Sequence, residues 1–490
     1  PIQIAEDIKG QLETLQLNHI DSISVTQPGF INFTLSASFY QSNLKYILDT
    51  GDEFGRSSIG HGKKANVEFV SANPTGPLTV GHGRQAVLGD TVASLLEWNG
   101  FDVTREYYYN DAGRQMRILG QSVEARYFEA LGKPFEFPED GYQGNYIINI
   151  AKSILHHHGS DLERDHDQFR ETAENAIFSD IKNTLSELGI IHDQFSNEKT
   201  FYDNGAIDQL LTDLKAKELI YESEGATWLK TSALGKDQDR VYIKSSGEPT
   251  YRLPDTAYHR DKVERNFDEI IDIFGADHAD TYPDVLAALD ALEIPVDHIR
   301  VLIHQFVTLL RDGQKVKMST RKANFVTLED LVKEVGKDVV RYFFIMRSMT
   351  SHLDFDLNLA ADQSDKNPVF YLQYAHARIA NIMKHGESLG HSFSHDFDSS
   401  LISEKEEFTL IKHLMRFPEL SEQLYESLEP QMLATYLQEL AAHFHKFYGK
   451  CKVITDDSAL TQTRLALITC AKITLGNGLS ILGLSAPDRM

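Results

Sequence analysis

The sequence predicts an α/β protein with a parallel-sheet domain, preceded by a small N-terminal α+β segment and followed by an all-α C-terminal bundle. Three observations predict this class. Apolar and polar residues alternate in the first fifty positions, short apolar runs and helical spacing alternate from residue 64, and long helical spacing follows residue 360. We expect domains at 1–55, 56–360 and 361–490, with an insertion at about 115–247 between the halves of the sheet.

Composition excludes several classes of protein. The 490 residues include 41% apolar and 24% charged side chains, as in a soluble globular chain of roughly three domains. With 72 acidic and 48 basic residues, the net charge of −24 disfavours nucleic acid outside a local basic patch. No run approaches the ~20 apolar residues of a membrane span, so no membrane partner is expected.

Two cysteines, Cys451 and Cys470, are too few for a disulfide framework or a cysteine zinc site. The sequence therefore predicts a cytoplasmic protein, with no zinc and no other resident metal. The chain opens with Pro1 and has no initiating Met. We expect its N-terminal segment to be truncated.

Strand, loop, helix and strand follow one another after residue 64, which predicts a βαβ unit whose loop lies at the carboxyl edge of a parallel sheet. That edge is where such folds bind ligands. The first predicted elements are strands within Ile23–Leu35, a linker at Asp49–Gly62, a strand at Val67–Val70, a helix at Arg84–Trp98 closed by Asn99 and Gly100, and a strand at Phe101–Tyr109.

The second half of the sheet is expected after a mostly helical stretch from Gln115 to about Ile220. The largely apolar run Ile270–Gly275 predicts a buried parallel strand. Pro418 and Pro430 mark a kink and a boundary among the C-terminal helices. The remaining predicted elements are strands at Ala226–Lys230 and Arg240–Lys244, and helices at Tyr371–Lys384, Phe408–Leu428, Met432–Tyr448 and Leu460–Leu482.

Two segments have the composition of phosphate-binding loops. The loop Ala72–Arg84 brings residues 81–83 to a helix start, where free N–H groups and the helix dipole favour a phosphate. Taken alone, it is equally well explained as a glycine-rich turn shaped for tight strand–helix packing. The stretch Lys315–Lys322 holds four cations and two hydroxyls, which suit a triphosphate or, alternatively, a solvated surface loop.

These segments resemble a known family. Ser71–Arg84 resembles the first signature of class I aminoacyl-tRNA synthetases in their arginyl form, and Lys317–Lys322 is similar to the second. The resemblance continues at Tyr107–Gln115, Gly275–His278 and Phe447–Cys451. It implies a class I Rossmann-like catalytic domain, an N-terminal tRNA-contacting segment and an anticodon-binding bundle.

The implied activity is that of an arginine–tRNA ligase. ATP activates L-arginine to arginyl-adenylate, and the arginyl group is then transferred to tRNA(Arg). The resemblance also implies Mg²⁺ with ATP, a monomer, and activation that requires tRNA.

The resemblance implies roles for individual residues. The implied catalytic residues are His82, Lys317, Ser319 and Lys322. The implied ATP contacts are Thr79, Gly81, His82, Gly83, Arg84, Lys317, Met318 and Ser319. The implied arginine contacts are Glu68, Ser71, Asn73, Tyr251, Asp255 and His278. The implied tRNA contacts are Phe30, Asn32, Phe33, Tyr448 and Lys450.

Some of these residues have alternative interpretations. Four-residue spacing places Tyr251 and Asp255 on one helical face, as a guanidinium pocket needs, but it also suits a surface pair that caps a helix. Phe30 and Phe33 fit a core strand equally well. Tyr448 and its basic neighbours also fit a packed helix with a solvated face.

Two positions depart from the family pattern. Thr79 stands where the first signature usually has histidine, and Thr320 stands where many class I enzymes have the closing lysine of the second. Threonine donates a hydrogen bond but carries no positive charge. We expect Arg321 or Lys322 to replace the closing lysine.

Two alternative functions stay open: a class I enzyme for another amino acid, and a tRNA-binding or regulatory protein with a decayed site.

Overall fold

The computed structural model describes residues 1–316 and 326–490. These residues form two compact units. The sheet unit consists of Ser58–Asp362 with Leu428–Gln431, and the helical unit consists of Pro1–Ser57, Gln363–Ser427 and Met432–Met490. Among the described residues, no helix is long and apolar enough to cross a membrane.

Strands and helices alternate in the sheet unit, and helices dominate the helical unit. The described strands are β1 (Ile20–Thr26), β2 (Phe30–Leu35), β3 (Lys64–Glu68), β4 (Asp102–Tyr109), β5 (Gln194–Asn197), β6 (Ile220–Ser223), β7 (Ala226–Leu229), β8 (Arg240–Ile243), β9 (Glu269–Gly275), β10 (Ile299–His304), β11 (Val307–Arg311), β12 (Gln314–Lys315) and β13 (Leu353–Asp356). The described α-helices are α1 (Ile2–Thr14), α2 (Ala37–Thr50), α3 (Val80–Trp98), α4 (Gly113–Ala130), α5 (Asn145–His158), α6 (Gln168–Glu187), α7 (Lys199–Asp203), α8 (Ala206–Ala216), α9 (Arg252–Glu264), α10 (Tyr282–Ala291), α11 (Leu328–Val335), α12 (Lys337–Ile345), α13 (Leu357–Ala361), α14 (Pro368–Ser388), α15 (Lys405–Leu414), α16 (Phe417–Ser427), α17 (Gln431–Lys450) and α18 (Ser458–Ile481).

A five-stranded sheet in the order β10–β9–β3–β4–β5 forms the centre of the sheet unit. Every neighbouring pair of its strands is parallel, so the five carboxyl ends lie along one edge. The two halves of the sheet meet where β3 pairs with β9, and a crossover of this kind opens a ligand crevice in α/β sheets. The predicted βαβ unit and the buried parallel strand near residue 270 are confirmed.

Two elements beside this edge differ from the sequence prediction. The helix α3 starts at Val80 instead of Arg84, because Thr79 acts as its N-cap and accepts a hydrogen bond from the backbone N–H of His82. The strand β5 lies inside the stretch that was expected to be mostly helical, and it pairs with β4 as an outermost strand of the sheet. The insertion therefore adds a strand to the sheet.

The helical unit combines both ends of the chain. Its antiparallel β1–β2 hairpin is flanked by α1 and α2, which agrees with the predicted α+β character of the N-terminal segment. The C-terminal part is all-α, as predicted. The helix expected at Phe408–Leu428 is two helices, α15 and α16, because Pro418 belongs to the first turn of α16, where a proline begins a helix but does not continue one.

Candidate active site

A cavity of about 660 Å³ opens at the carboxyl ends of the central strands. All five strands supply a lining residue at or next to their carboxyl ends: Glu68, Tyr108, Glu198, Gly275 and His304. We call it the strand-end cavity. The predicted residues that line it are Glu68, Ser71, Asn73, Thr79, Gly81, His82, Tyr251, Asp255 and His278.

The start of α3 forms one wall of this cavity. The backbone N–H of Thr79 donates to Nδ1 of His82 at 3.2 Å, and the backbone N–H of His82 contacts the Thr79 hydroxyl at 3.5 Å. Since Nδ1 accepts, the proton of the neutral ring sits on Nε2, and burial lowers the pKa of His82. His82 is therefore a neutral donor at the helix N-terminus, and Thr79 serves as its cap.

Gly83 was predicted to contact ATP, but the structure gives it a packing role. Its N–H donates to the carbonyl oxygen of Thr79 at 3.0 Å, so this N–H is not free for a phosphate. A Cβ atom at this position would lie 2.5 Å from Leu328 Cδ1 and 3.1 Å from the ring of Phe344. These contacts support the alternative interpretation, tight packing, for this glycine, and its contact with ATP stays a prediction.

Arg84 was also predicted to contact ATP, but the partners of its side chain in the structure are backbone carbonyl oxygens. The guanidinium is completely buried and donates to the carbonyl oxygens of Gln305, Ser348 and Ser351 at 2.7, 2.9 and 3.0 Å. Arg84 does not line the strand-end cavity. It joins α3 to the loops that follow β10 and α12.

The second predicted phosphate-binding segment is only partly described. Lys315 ends β12, whereas Lys317, Met318, Ser319 and Lys322 lie outside the described residues. The chain re-enters the described structure beside the first loop, where Thr327 forms a β-bridge with Thr79.

The opposite wall carries three carboxyl groups. Glu68 accepts hydrogen bonds from Ser71 Oγ at 2.8 Å and from the ammonium of Lys262. Glu198 accepts from the hydroxyl of Tyr108 at 3.2 Å. The Asp255 carboxylate has no hydrogen-bond or ion-pair partner among the residues that the structure describes.

Burial shifts the titration of two of these acids. It raises the pKa of Asp255 to about 7, and the negative charges of Glu198 and Glu68 raise it further. Burial also raises the pKa of Glu198. A bound cation would favour the ionised forms of Asp255 and Glu198. A planar group with several N–H donors, such as a guanidinium, can donate to both carboxylates.

A buried network of charged and polar side chains contacts the residues of this acidic wall. Lys262 is completely buried, and its ammonium lies 2.5 Å from Asp272 Oδ1 and also contacts Glu68. His259 bridges Asp272 at 3.0 Å and the backbone oxygen of Asp255 at 2.8 Å. Although burial opposes its charge, the carboxylates of Asp272 and Glu68 raise the pKa of Lys262. The network thus holds the Glu68 carboxylate by a paired charge and the Asp255 backbone by a hydrogen bond.

Comparison with known proteins agrees with this arrangement. Residues 43–379 match the class I (R) tRNA synthetase catalytic domain, residues 372–490 the DALR anticodon binding domain, and residues 1–35 the arginyl-tRNA synthetase N-terminal domain. The chain belongs to the arginyl-tRNA synthetase family.

Relatives in this family match nearly the whole chain. The arginine–tRNA ligase of Desulfotalea psychrophila is 52% identical over 96% of this chain and 86% of its own length. That of Salinibacter ruber is 48% identical over 100% and 91%. The structure of Thermus thermophilus arginyl-tRNA synthetase, 21% identical, has the same fold with a TM-score of 0.77 over 99% of this chain and 92% of that one. The predicted family and fold class are confirmed.

Three residues that belong to this site were missed by the sequence analysis. Glu198, His304 and Lys262 lie in or under the strand-end cavity, but none belongs to a segment singled out for its chemistry. Glu198 follows β5, a strand of four residues. The only available signal was the position of His304 at the end of an apolar run that follows the predicted strand near residue 270.

The predicted tRNA contacts lie in the helical unit of this synthetase family member. Phe30 and Phe33 are 65% and 47% exposed, so the core-strand alternative is wrong for both. Asn32 donates to the hydroxyl of Thr26 at 3.1 Å. Tyr448 and Lys450 line a second cavity of about 980 Å³, which we call the helical-unit cavity.

Proposed function

We propose that this chain is an arginine–tRNA ligase, which activates L-arginine with ATP and transfers the arginyl group to tRNA(Arg). The observation that carries this proposal is the strand-end cavity, where an acidic wall faces a helix N-terminus in a member of the arginyl-tRNA synthetase family. Such a cavity has a complementary surface for a guanidinium on one side and for phosphates on the other.

Arginine is proposed to bind along the acidic wall. Asp255 and Glu198 would share its guanidinium, and Tyr251 would cover it, since these side chains line the same cavity. Glu68, Ser71 and Asn73 would hold the α-ammonium and carboxylate end, with His278 on the facing side. Lysine offers no planar fork, so two carboxylates select for arginine.

ATP is proposed to bind at the start of α3. Gly81 and His82 would meet its phosphates, with His82 donating from Nε2, while Lys317, Met318, Ser319 and Lys322 stay predicted contacts. The arginine carboxylate attacks the α-phosphate and pyrophosphate leaves, so the protein's task is to position both groups and neutralise charge. Class I tRNA synthetases generally use ATP with Mg²⁺, which would arrive on the phosphates.

The helical unit is proposed to bind tRNA(Arg) through Phe30, Asn32 and Phe33 at one end of the chain and Tyr448 and Lys450 at the other. The exposed rings at positions 30 and 33 support the first group. The division into domains at 1–55, 56–360 and 361–490 stays part of this proposal, as do a monomeric state and a cytoplasmic location.

Pyrophosphate exchange into ATP tests the proposal. We expect exchange that depends on arginine and requires tRNA(Arg), with lysine, glutamate and cysteine as inactive controls. Charging of tRNA(Arg) with labelled arginine measures the second step. Exchange driven by a different amino acid would identify another class I enzyme, and tRNA binding without any exchange would identify a binding protein.

A further inference from the structure

His304 is a buried polar residue of the strand-end cavity to which the proposed reaction gives no role. It ends β10, is 7% exposed and lines the cavity. Its Nε2 atom has no hydrogen-bond partner within residues 1–316 and 326–490. Buried ring nitrogens are rarely left unpaired, because an orphaned polar atom loses its hydration without compensation.

The hydrogen-bonding character of this atom follows from the other ring nitrogen. Nδ1 of His304 lies 3.2 Å from the carbonyl oxygen of Gln305. A carbonyl oxygen only accepts, so the proton sits on Nδ1 and Nε2 presents a lone pair. Burial lowers the pKa of His304 to about 4, which keeps the ring neutral near pH 7. Nε2 is therefore a buried hydrogen-bond acceptor that has no donor among the described residues.

The surroundings of His304 place it on the nucleotide side of the cavity. Arg84 at the start of α3 donates to the carbonyl oxygen of the next residue, Gln305, at 2.7 Å, and Arg84, Asp277 and His82 all influence the pKa of His304. The Asp277 carboxylate lies beside Gly275 and close to His304, because a Cβ atom built on Gly275 would lie 2.5 Å from Asp277 Oδ1 and 3.9 Å from His304 Nε2. His304 ends β10, which lies at the opposite end of the central sheet from β5, the strand that Glu198 of the acidic wall follows.

We infer that Nε2 of His304 accepts a hydrogen bond from the adenosine part of ATP. The phosphates carry only acceptor oxygens, so they cannot donate to Nε2. The donors of ATP are the two ribose hydroxyls and the exocyclic amino group of adenine. This inference rests on the proposed function, and it assigns His304 a substrate contact that selects a nucleoside.

Three variants separate this contact from a structural role. His304→Phe keeps a planar ring and removes the acceptor, whereas His304→Gln restores an acceptor near the Nε2 position. His192→Phe is the matched control, because His192 is also 7% exposed with an unpartnered Nε2 but does not line the cavity. The KM values for ATP and for arginine are measured separately by pyrophosphate exchange.

We expect His304→Phe to raise the KM for ATP about tenfold and to leave the KM for arginine unchanged. His304→Gln should recover most of the loss, and His192→Phe should change neither KM. The inference fails if the KM for ATP is unchanged in His304→Phe, or if the KM for arginine rises instead.

Analogues of ATP identify the donor. 2′-Deoxy-ATP, 3′-deoxy-ATP and purine riboside triphosphate each lack one of the three candidate donors. With the analogue that lacks the bound donor, wild type and His304→Phe should have the same KM; an equal penalty with all three would overturn the inference. If the wild type shows no exchange, the proposed function fails, and the Kd for ATP from equilibrium dialysis tests His304 by itself.

Discussion

At the scale of single residues, Asp255 differs from Glu68 and Glu198, because those two carboxylates already accept hydrogen bonds from the protein. It lines the cavity without a described partner, and an arginine guanidinium would supply two charge-assisted hydrogen bonds. We expect Asp255→Asn to raise the KM for arginine about 30- to 100-fold, with little change in the KM for ATP or in tRNA binding. Asp261→Asn is the matched control, because Asp261 lies on α9 but pairs with Arg265 outside the cavity. An unchanged KM for arginine would remove Asp255 from the pocket.

The same residue predicts a pH dependence. The pKa of Asp255 is raised to about 7, so below that pH the group is mostly protonated and cannot pair with a guanidinium. Arginine affinity should therefore rise as pH increases from 6 to 8, with the KM for arginine falling about tenfold. The profile of Asp255→Asn should be flat over this range. A wild-type profile as flat as that of the variant would show that Asp255 stays ionised throughout.

The sequence was informative about residues inside recognisable segments and uninformative about those outside them. Thr79 illustrates the first case only in part: its position in the loop was predicted, but its function as a cap for His82 depends on backbone geometry. Arg84 has the charge of a phosphate ligand, yet burial under three carbonyl oxygens gives it a structural role. Glu198 and His304 become site residues only because β5 and β10 end at the same sheet edge.

At the scale of elements, two cations join α9 and the residue that follows it to carboxylates of the sheet. Lys262 pairs with Glu68 and Asp272, and Arg265 pairs with Glu106 at 2.9 Å. Of these three carboxylates, only Glu68 lines the strand-end cavity. Substitution of each cation therefore measures the support of the sheet and the support of the substrate pocket separately.

We expect Lys262→Met to lower the free energy of unfolding of the sheet unit by about 3–5 kcal/mol, because it removes the ammonium that neutralises two buried carboxylates, Glu68 and Asp272. It should also raise the KM for arginine, since Glu68 loses the ammonium that orients it. Arg265→Met should lower stability without changing that KM. Denaturant titration and exchange kinetics measure the two effects, and Lys262→Arg should partly restore the KM. Equal KM changes in both methionine variants would make Lys262 a purely structural residue.

The elements themselves were predictable where their signal is local. Helical spacing predicted α14, α17 and α18, and an apolar run predicted β9, because burial of one helical face or of a whole strand is visible in a short window. The strand β5 was missed, since four half-buried residues between helices carry little periodicity. Its pairing with β4 is a tertiary contact that no local pattern encodes.

At the scale of the whole molecule, the two chain ends form one unit through contacts that sequence periodicity cannot reveal. Cys470 donates to the carbonyl oxygen of Leu44 at 3.5 Å, and Asn477 donates to those of Gly51 and Phe54 at 3.2 and 3.0 Å. The paired residues are more than 400 positions apart. Apolar periodicity predicted the α+β and all-α character of these ends, but not that they fold together.

The overall charge of −24 makes tRNA binding depend on local cations. Arg378, Lys450 and Lys452 line the helical-unit cavity, and the Arg378 guanidinium lies 4.7 Å from the ring centre of Tyr448. Each lysine that meets a phosphate releases counterions, so its loss weakens binding and reduces the salt dependence. We expect the double variant Lys450→Gln and Lys452→Gln to lower tRNA affinity about tenfold and to reduce the slope of log K against log salt by about one to two.

The control for this prediction is Lys405→Gln, because Lys405 is exposed on α15 outside the helical-unit cavity. Filter binding of tRNA(Arg) at several salt concentrations gives both the affinity and the slope. Binding of ATP should be the same in all variants, since these lysines do not line the strand-end cavity. If the double variant and Lys405→Gln have the same slope as the wild type, phosphate contacts lie elsewhere, and the cavity would then serve an uncharged part of the tRNA by stacking on Tyr448.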